Sequence, residues 1–325
     1  MDEQKLRLRD LMDAKRENRY KIKKLATGIR QLDSELHGGI PFGAMTTIAS
    51  YEGSGKSTFV SQIICNAMED TSNKVFLYSG EMSDSLLLNT FTYQMAGAHT
   101  SRDRFGRPIV PDGVVDLITS KYRGRIYPYS MSANATDKFE LFMSDMLYAH
   151  KKLGCNIFVI DNLMSAGDDL VGTSVCEYDR QAKVAGCLAE FAADNNVCVI
   201  LVAHTRKETN YQVQNLNDTI SGSSVTKKRS SLILFYNNLK ANKKEPGTEN
   251  VRKILITKNR LYGKKNLDGI KVYYDENCMR IYGDLDQESY LKDFSCFDVD
   301  LDEILIDEFL DEIVEELRCT AAHDD

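Results

Sequence analysis

No apolar stretch in this 325-residue chain approaches the ~18 residues that a membrane-crossing helix needs, so none is expected to span a bilayer. The opening residues, "MDEQKLRLRD", mix acids and bases without an apolar run. That pattern argues against a secretory leader, and the early acids argue against an organelle transit peptide. The eight cysteines (65, 155, 176, 187, 198, 278, 296 and 319) are scattered, with no C-x-x-C pair. Neither a disulfide scaffold nor a zinc site is expected from such spacing. Cys155, Cys187 and Cys198 sit in or beside apolar runs, where a reduced thiol behaves as a small hydrophobe. A reducing, cytoplasmic setting is the expectation. Internal repeats and low-complexity linkers are also missing.

What is present is ordinary in bulk and uneven along the chain. Hydrophobic residues make up 42% and charged ones 27%, the balance of a globular protein with one large domain or two small ones. Residues 284 to 325 hold 16 acids and two basic residues, Lys292 and Arg318, a balance of −14. With −7 for the whole chain, the remainder must carry +7. An acidic tail therefore hangs from a mildly basic body. In that tail Ile304, Leu305, Phe309, Ile313 and Leu317 fall at helical spacing, which predicts an acidic amphipathic helix. Residues 2 to 24 read as a charged helix with a narrow apolar stripe of Leu8, Leu11 and Met12. Either the stripe packs on another surface or this is a solvated terminal helix.

From residue 25 onward short apolar runs alternate with helical patterns. "MTTIAS", "KVFLYS", "NIFVID", "VCVILVAH", "SLILFY" and "VRKILITK" read as strands, and 56–70, 83–97, 136–152 and 176–195 as helices. The nearly continuous Val/Ile character suits strands buried on both faces. The alternation predicts an α/β domain with a mainly parallel sheet. "IKVYYDENCMRIYG" reads as a closing hairpin.

"SYEGSGKST", residues 50 to 58, has the layout of a phosphate-binding loop: strand, glycine-rich turn, apolar helix. Such loops converge backbone N–H groups on phosphates at a helix N-terminus. Gly53 and Gly55 permit the tight path, Lys56 reaches the β- and γ-phosphates, and the Ser57 hydroxyl binds Mg²⁺. Ser54 and Thr58 complete the cradle. Ser50 stands where the usual pattern has glycine and is tolerated if its φ is negative. Asp161 closes an apolar strand, the place of a carboxylate that holds magnesium. A strand-end aspartate alone would as readily mark a turn. Glu81 lies at the carboxyl edge of a strand, where ligands collect in such sheets. Its roles as hydrolytic base and as cap of the next helix stand level. His204 ends "VCVILVAH"; a satisfied structural histidine is the common alternative to a phosphate-facing one.

Taken in order, "TGIRQLDSELHGGIPFGAMTTIASYEGSGKST", "YSGEMSDSLLL", "FVIDNL", "LVAHTRKE", "ISGSS" and "TKNRLYG" resemble the helicase domain of DnaB-type hexameric replicative helicases, over about residues 20 to 285. The likeness is strongest to the mitochondrial and phage branches of that family. The resemblance implies a RecA-like P-loop NTPase core (25–285) between an N-terminal linker helix (1–24) and an acidic tail (286–325). It implies ATP, or another NTP or dNTP, with Mg²⁺ held at Ser57 and Asp161. Under it Glu81 polarises the attacking water and His204 senses the γ-phosphate. Arg260 is the arginine finger given to a neighbouring subunit's site, with Lys258 its companion.

The same resemblance implies a ring, a hexamer in this family, moving 5′ to 3′ on single-stranded DNA. Loops 166–176 and 208–229 would line its channel, with Lys207, Ser221, Gly222, Ser223, Lys227, Lys228 and Arg229 as candidate contacts. The family commonly has Gln near 228 and Arg where Asn237 stands, so base stacking departs from its pattern. No primase segment is expected, which suggests a helicase-only protein of a phage or mobile element. The acidic tail would dock a replication partner such as a polymerase, primase or loader. A recombinase or KaiC-like ATPase shares the same loop and the "TGIRQLDSELHGGIP" lead-in, and a non-catalytic adaptor is the alternative from another class.

Overall fold

The computed structural model describes residues 11–13, 16, 18–130, 137–205, 216–220, 224–238 and 251–291. Strands β1 (Lys24–Leu25) and β2 (Ile40–Pro41) pair antiparallel around α1 (Arg30–Glu35). β3 (Ala44–Ser50) then enters α2 (Lys56–Ala67) through the loop 51–55. Next come β4 (Val75–Ser79), α3 (Asp84–Ala96), the small antiparallel pair β5 (Ser101–Arg102) and β6 (Pro108–Ile109), α4 (Asp112–Tyr122) and β7 (Ile126–Tyr129). α5 (Lys138–Tyr148) leads to β8 (Ile157–Asp161), α6 (Leu163–Ala166), α7 (Glu177–Asn195) and β9 (Cys198–His204). The last stretch holds α8 (Leu216–Thr219), α9 (Ser224–Arg229), β10 (Leu232–Asn238), β11 (Val251–Asn259), β12 (Asn266–Asp275) and β13 (Arg280–Gly283).

Nine strands form one sheet in the order β13-β12-β11-β10-β3-β9-β8-β4-β7. The six from β10 to β7 are parallel, and β11 to β13 add an antiparallel meander at one edge. Helices on both sides explain why β8 and β9 are apolar at every position before their closing Asp161 and His204, rather than at alternate ones. In β9, Ile200 and Val202 face the layer of α2, α3 and α4, while Val199 and Leu201 face α5 and α7. All four are fully buried, and each such side chain contributes about 1.5–3 kcal/mol relative to an exposed one. The predicted mainly parallel α/β sheet is therefore the observed one. All six strands read from the sequence are present, and so are the four helices.

Three expectations change. The N-terminal helix does not continue to residue 24: Leu11–Asp13 form one 3₁₀ turn, and the chain is in a turn by Arg19 before entering β1. The Asn18 side chain accepts the Tyr20 N–H at 3.0 Å, a local bond that competes with helix. Its apolar Leu8 lies outside the described residues. The body also runs past residue 285. Asp286 is buried, pairs with Arg30 at 3.6 Å and accepts the Gly283 N–H at 3.1 Å. Ser289 and Tyr290 bond to Arg30 and Asp275. The predicted acidic helix beyond Lys292 lies outside the described residues. Finally, α4 and the edge strand β7 were not anticipated.

Candidate active site

The sheet register assembles the site. Ser50 pairs with His204 across β3 and β9, and Ser79 pairs with Asp161 across β4 and β8. Parallel strands end on one side, so the loop after β3, His204, Asp161 and the Glu81 turn after β4 share one sheet edge. Gly53 and Gly55 sit at φ 70° and 84°, the left-handed region that favours glycine. A Cβ at Gly53 would meet nothing within 4 Å, and one at Gly55 only Tyr236 at 3.9 Å. Their glycine identity is set by backbone conformation rather than by crowding. Ser50 is fully buried and is not among the positive-φ residues, so its place ahead of the cradle is unstrained. Ser54 steadies the turn, its hydroxyl donating to the Tyr51 carbonyl at 2.8 Å.

Lys56 opens α2, and its side chain runs into the site, buried. Burial pulls its pKa down, against the charges of Asp161 and Glu81, which favour the ammonium. Its Nζ lies 2.9 Å from Nδ1 of His204. Asp161 shows the opposite shift: burial raises it, while the Ser57 hydroxyl and Lys56 pull the other way. Oδ1 of Asp161 is buried without a hydrogen-bond partner among the described residues. A hydroxyl beside an acceptor with nothing to accept from suits a divalent cation, and Ser57 and Asp161 thus fit the magnesium of a bound nucleotide. Thr58 stands one residue deeper on α2, and its carbonyl accepts from Gln94 at 2.9 Å.

Glu81 is half-exposed at the rim. It does not cap α3: Ser83 is the N-cap and accepts the Leu86 N–H. Instead its Oε1 lies 2.5 Å from Nδ2 of Asn162 and 3.2 Å from Nε2 of His204. Asn162 follows Asp161 directly, across a cis peptide bond. Its Oδ1 caps α6 by accepting from Met164 and Ser165 at 3.0 and 3.1 Å. That fixes which way the amide faces, with Nδ2 towards Glu81 and 2.9 Å from Nε2 of His204. With an ammonium at Lys56, Nδ1 of His204 accepts and the ring proton sits on Nε2; Nε2 and the Asn162 amide are then two donors that converge on Oε1 of Glu81 rather than bond to each other. Lys56, His204, Glu81 and Asn162 form one polar chain from the loop to the rim. Asn162 was not singled out from the sequence. The signal was an asparagine between a buried strand and a helix, which reads only as a cap.

Arg260 and Lys258 are elsewhere. Asn259, Leu232 and Thr46 share one level across β11, β10 and β3. That level is four residues before Ser50, roughly 13 Å from the loop along the strands. Both cations reach α9, Arg260 donating to the Lys228 carbonyl at 2.7 Å and Lys258 to the Lys227 carbonyl. Lys227, Lys228 and Arg229 form the last turn of α9, with Lys228 and Arg229 exposed. Residues 166–176 close α6 with a π turn, Gly167–Val171, before α7. Lys207, Ser221, Gly222 and Ser223 lie outside the described residues.

The family model for the DnaB-like helicase C-terminal domain matches residues 24–282. The chain belongs to that family. As a DnaB-like helicase domain it is a replicative-helicase-type NTPase with a RecA-like P-loop fold. Among solved structures, it superimposes on an ATPase domain with a TM-score of 0.63 at 16% identity, covering 81% of this chain and 92% of that one. A DnaB-like replicative helicase, solved with its interactions with primase, gives 0.63 at 16% identity over 83% of this chain and 65% of that one. A KaiC-like protein from the hyperthermophilic archaeon Pyrococcus horikoshii gives 0.56 at 17% identity, over 81% and 99%. No curated protein sequence matches the DnaB-like chain.

Proposed function

We propose that this DnaB-like domain is the motor of a ring-shaped, ATP-driven DNA helicase that moves 5′ to 3′ on single-stranded DNA. The observation that carries the reading is the separation of Arg260 from its own phosphate loop, together with the family match. A guanidinium at the far end of the sheet cannot serve its own site, but it suits a head-to-tail neighbour. There it would stabilise charge developing on the transferring phosphoryl group, an effect worth about 10³–10⁵ in turnover where such fingers act. The hexamer is the family's ring size.

Within one subunit, Ser57 and Asp161 are the residues that would hold the magnesium of a bound nucleotide, which would supply charge stabilisation at the phosphates. Glu81, oriented by Asn162, takes the proton of the attacking water. His204 reports on the γ-phosphate: an oxygen that draws Lys56 away frees Nδ1 and loosens the chain to Glu81. Single-stranded DNA is read by the segments around 166–176 and 208–229, with Lys227 and Lys228 on phosphates. The acidic tail beyond Lys292 takes a replication partner (a polymerase, primase or loader) through its apolar stripe and charge.

Forked DNA duplexes test this. With ATP and Mg²⁺ the protein should unwind a fork with a free 5′ tail, fail on one with only a 3′ tail, and lose turnover with Lys56→Ala or Glu81→Gln. ATP-dependent strand exchange without unwinding would assign the chain to a recombinase role instead. No turnover at all would make it an adaptor.

A further inference from the structure

Strands β5 and β6 form an outlying hairpin, residues 101–109, that takes no part in the nucleotide site. One carboxylate builds its tip. Oδ1 of Asp103 accepts the N–H groups of Phe105 and Arg107 at 2.9 and 2.8 Å, and Oδ2 accepts from Nε of Arg107 at 2.7 Å. Gly106 supplies the left-handed residue of the turn, at φ 77°. Held in this way, Phe105 stands out from the body, 67% exposed. The guanidinium carbons of Arg104 and Arg107 lie 4.8 and 5.0 Å from its ring centroid. Such a ring covers no core, whereas aromatic residues and arginine are what protein interfaces are enriched in.

The described chain ends beside this hairpin. The Tyr290 hydroxyl donates to Oδ2 of Asp275 at 2.7 Å, and its ring stacks on Tyr282 at 4.1 Å. Oδ1 of the same Asp275 accepts the N–H and the side-chain amide of Asn277 at 2.9 and 3.1 Å. Oδ1 of Asn277 in turn accepts from Arg102 of β5 at 2.5 Å. Two side chains in the β12–β13 turn therefore join the root of the tail to the root of the hairpin. Residues 292–325, outside the described residues, hold 13 acids against Lys292 and Arg318, a balance of −11. The twelve residues from Lys292 to Glu303 span up to about 40 Å when extended, enough to bring the stripe of Ile304 to Leu317 back to the hairpin.

We infer that the β5–β6 hairpin is the docking site of the chain's own acidic tail, with Phe105 taking the apolar stripe and Arg104 and Arg107 the carboxylates. Exposed ion pairs are individually weak, so attachment holds the tail in place, a short tether giving it an effective concentration of about a millimolar. A partner that binds the tail has to displace the hairpin first. Single-stranded DNA is the other polyanion such a surface suits. The fold favours the tail: Ala166 and Leu170, in a segment proposed for DNA, pack on the α5 and α7 face of the sheet. The helices joined by the hairpin, α3 and α4, pack on the opposite face. The inference goes beyond the helicase reading and does not depend on it.

A photoreactive benzophenone amino acid in place of Phe105, in the full chain, tests this with oligo-dT present. Irradiation should join position 105 to a peptide within residues 300–318, in a product with the mass of one chain. Arg104→Glu combined with Arg107→Glu should lower the yield by about fivefold or more. Phe309→Ser combined with Ile313→Ser should do the same, and because these positions lie outside the hairpin, that loss cannot come from unfolding it. Asp307→Lys, Glu308→Lys and Asp311→Lys together should restore the yield to the protein with glutamates at 104 and 107. A product with the mass of two chains would give the hairpin to a neighbouring copy's tail. A crosslink to oligo-dT would give it to nucleic acid, and absence of any tail peptide would leave the tail elsewhere. Each of these three overturns the inference. ATP turnover is not the readout, so failure of the helicase reading would leave the result standing.

Discussion

Oδ1 of Asp161 is buried with no hydrogen-bond partner among the described residues, and burial lifts that carboxyl above its ordinary value of 3.8. An acid whose native pKa is raised is most favourable to the fold when protonated. Its contribution is complete below the unfolded value and is lost as pH rises through the native one. At neutral pH the ionised Asp161 thus weakens the nucleotide-free protein, a cost that the proposed magnesium role would account for. Asp161→Asn cannot ionise. It should stabilise the nucleotide-free protein by about 1 kcal/mol while abolishing Mg²⁺-dependent hydrolysis. Calorimetry without nucleotide at pH 7 checks this, and a lower Tm for the variant would contradict it. The same scale shows what single residues disclose in advance. Gly53, Gly55, Lys56 and Ser57 announce themselves because their spacing has one efficient use. Glu81 stood level between base and cap until Ser83 was seen to hold the cap. Asn162 stayed hidden because its visible job, capping α6, is an ordinary one, and its second contact depends on three strands meeting.

Among the elements, those that were legible are the ones whose burial forces a pattern. β8 and β9 lie in the middle of the sheet and read as unbroken apolar runs. β7 was missed for the converse reason: it is the outermost strand, carries Pro128 and is only partly buried. Proline is tolerated there since an edge has a side with no ladder to complete. α4 buries only Val114 and Ile118, and its second residue is Gly113, a poor helix former, so its signal is thin. The end of the body was misplaced because charge was read without partners. Asp286 belongs by composition to the acidic tail, but its carboxylate caps the Gly283 turn and pairs with Arg30. A chain ending at Leu291 should therefore keep the wild-type Tm and ATPase activity. One ending at Leu285 should lose roughly 2 kcal/mol, since it leaves the buried Gly283 N–H without an acceptor and frees the Arg30 side of α1. Equal denaturation midpoints for the two truncations would show that the boundary has no energetic meaning.

At the scale of the whole molecule, the proposed function has the sheet present one half of a hydrolysis site at each end. The cradle, Asp161, Glu81 and His204 occupy the carboxyl ends of the parallel strands. Arg260 stands at the other end, beyond β11, because an antiparallel strand returns the chain to where β10 began. No side-chain movement closes a gap of roughly 13 Å along the strands and two strand spacings across them. In the proposed assembly a second copy placed head to tail would close it, and such a heterologous contact, repeated with rotation, would make a ring. On that proposal activity would belong to interfaces rather than to subunits. Lys56→Ala and Arg260→Ala should each be inactive alone, the first lacking a cradle and the second a finger. Mixed in equal amounts and allowed to reassemble, they should recover about a quarter of wild-type turnover, the share of random interfaces where an intact loop meets an intact arginine. The recovered rate should grow with total protein concentration as rings form. A mixture as inactive as its components, with rings visible by electron microscopy, would place the arginine's action inside its own subunit and remove the physical reason for the ring.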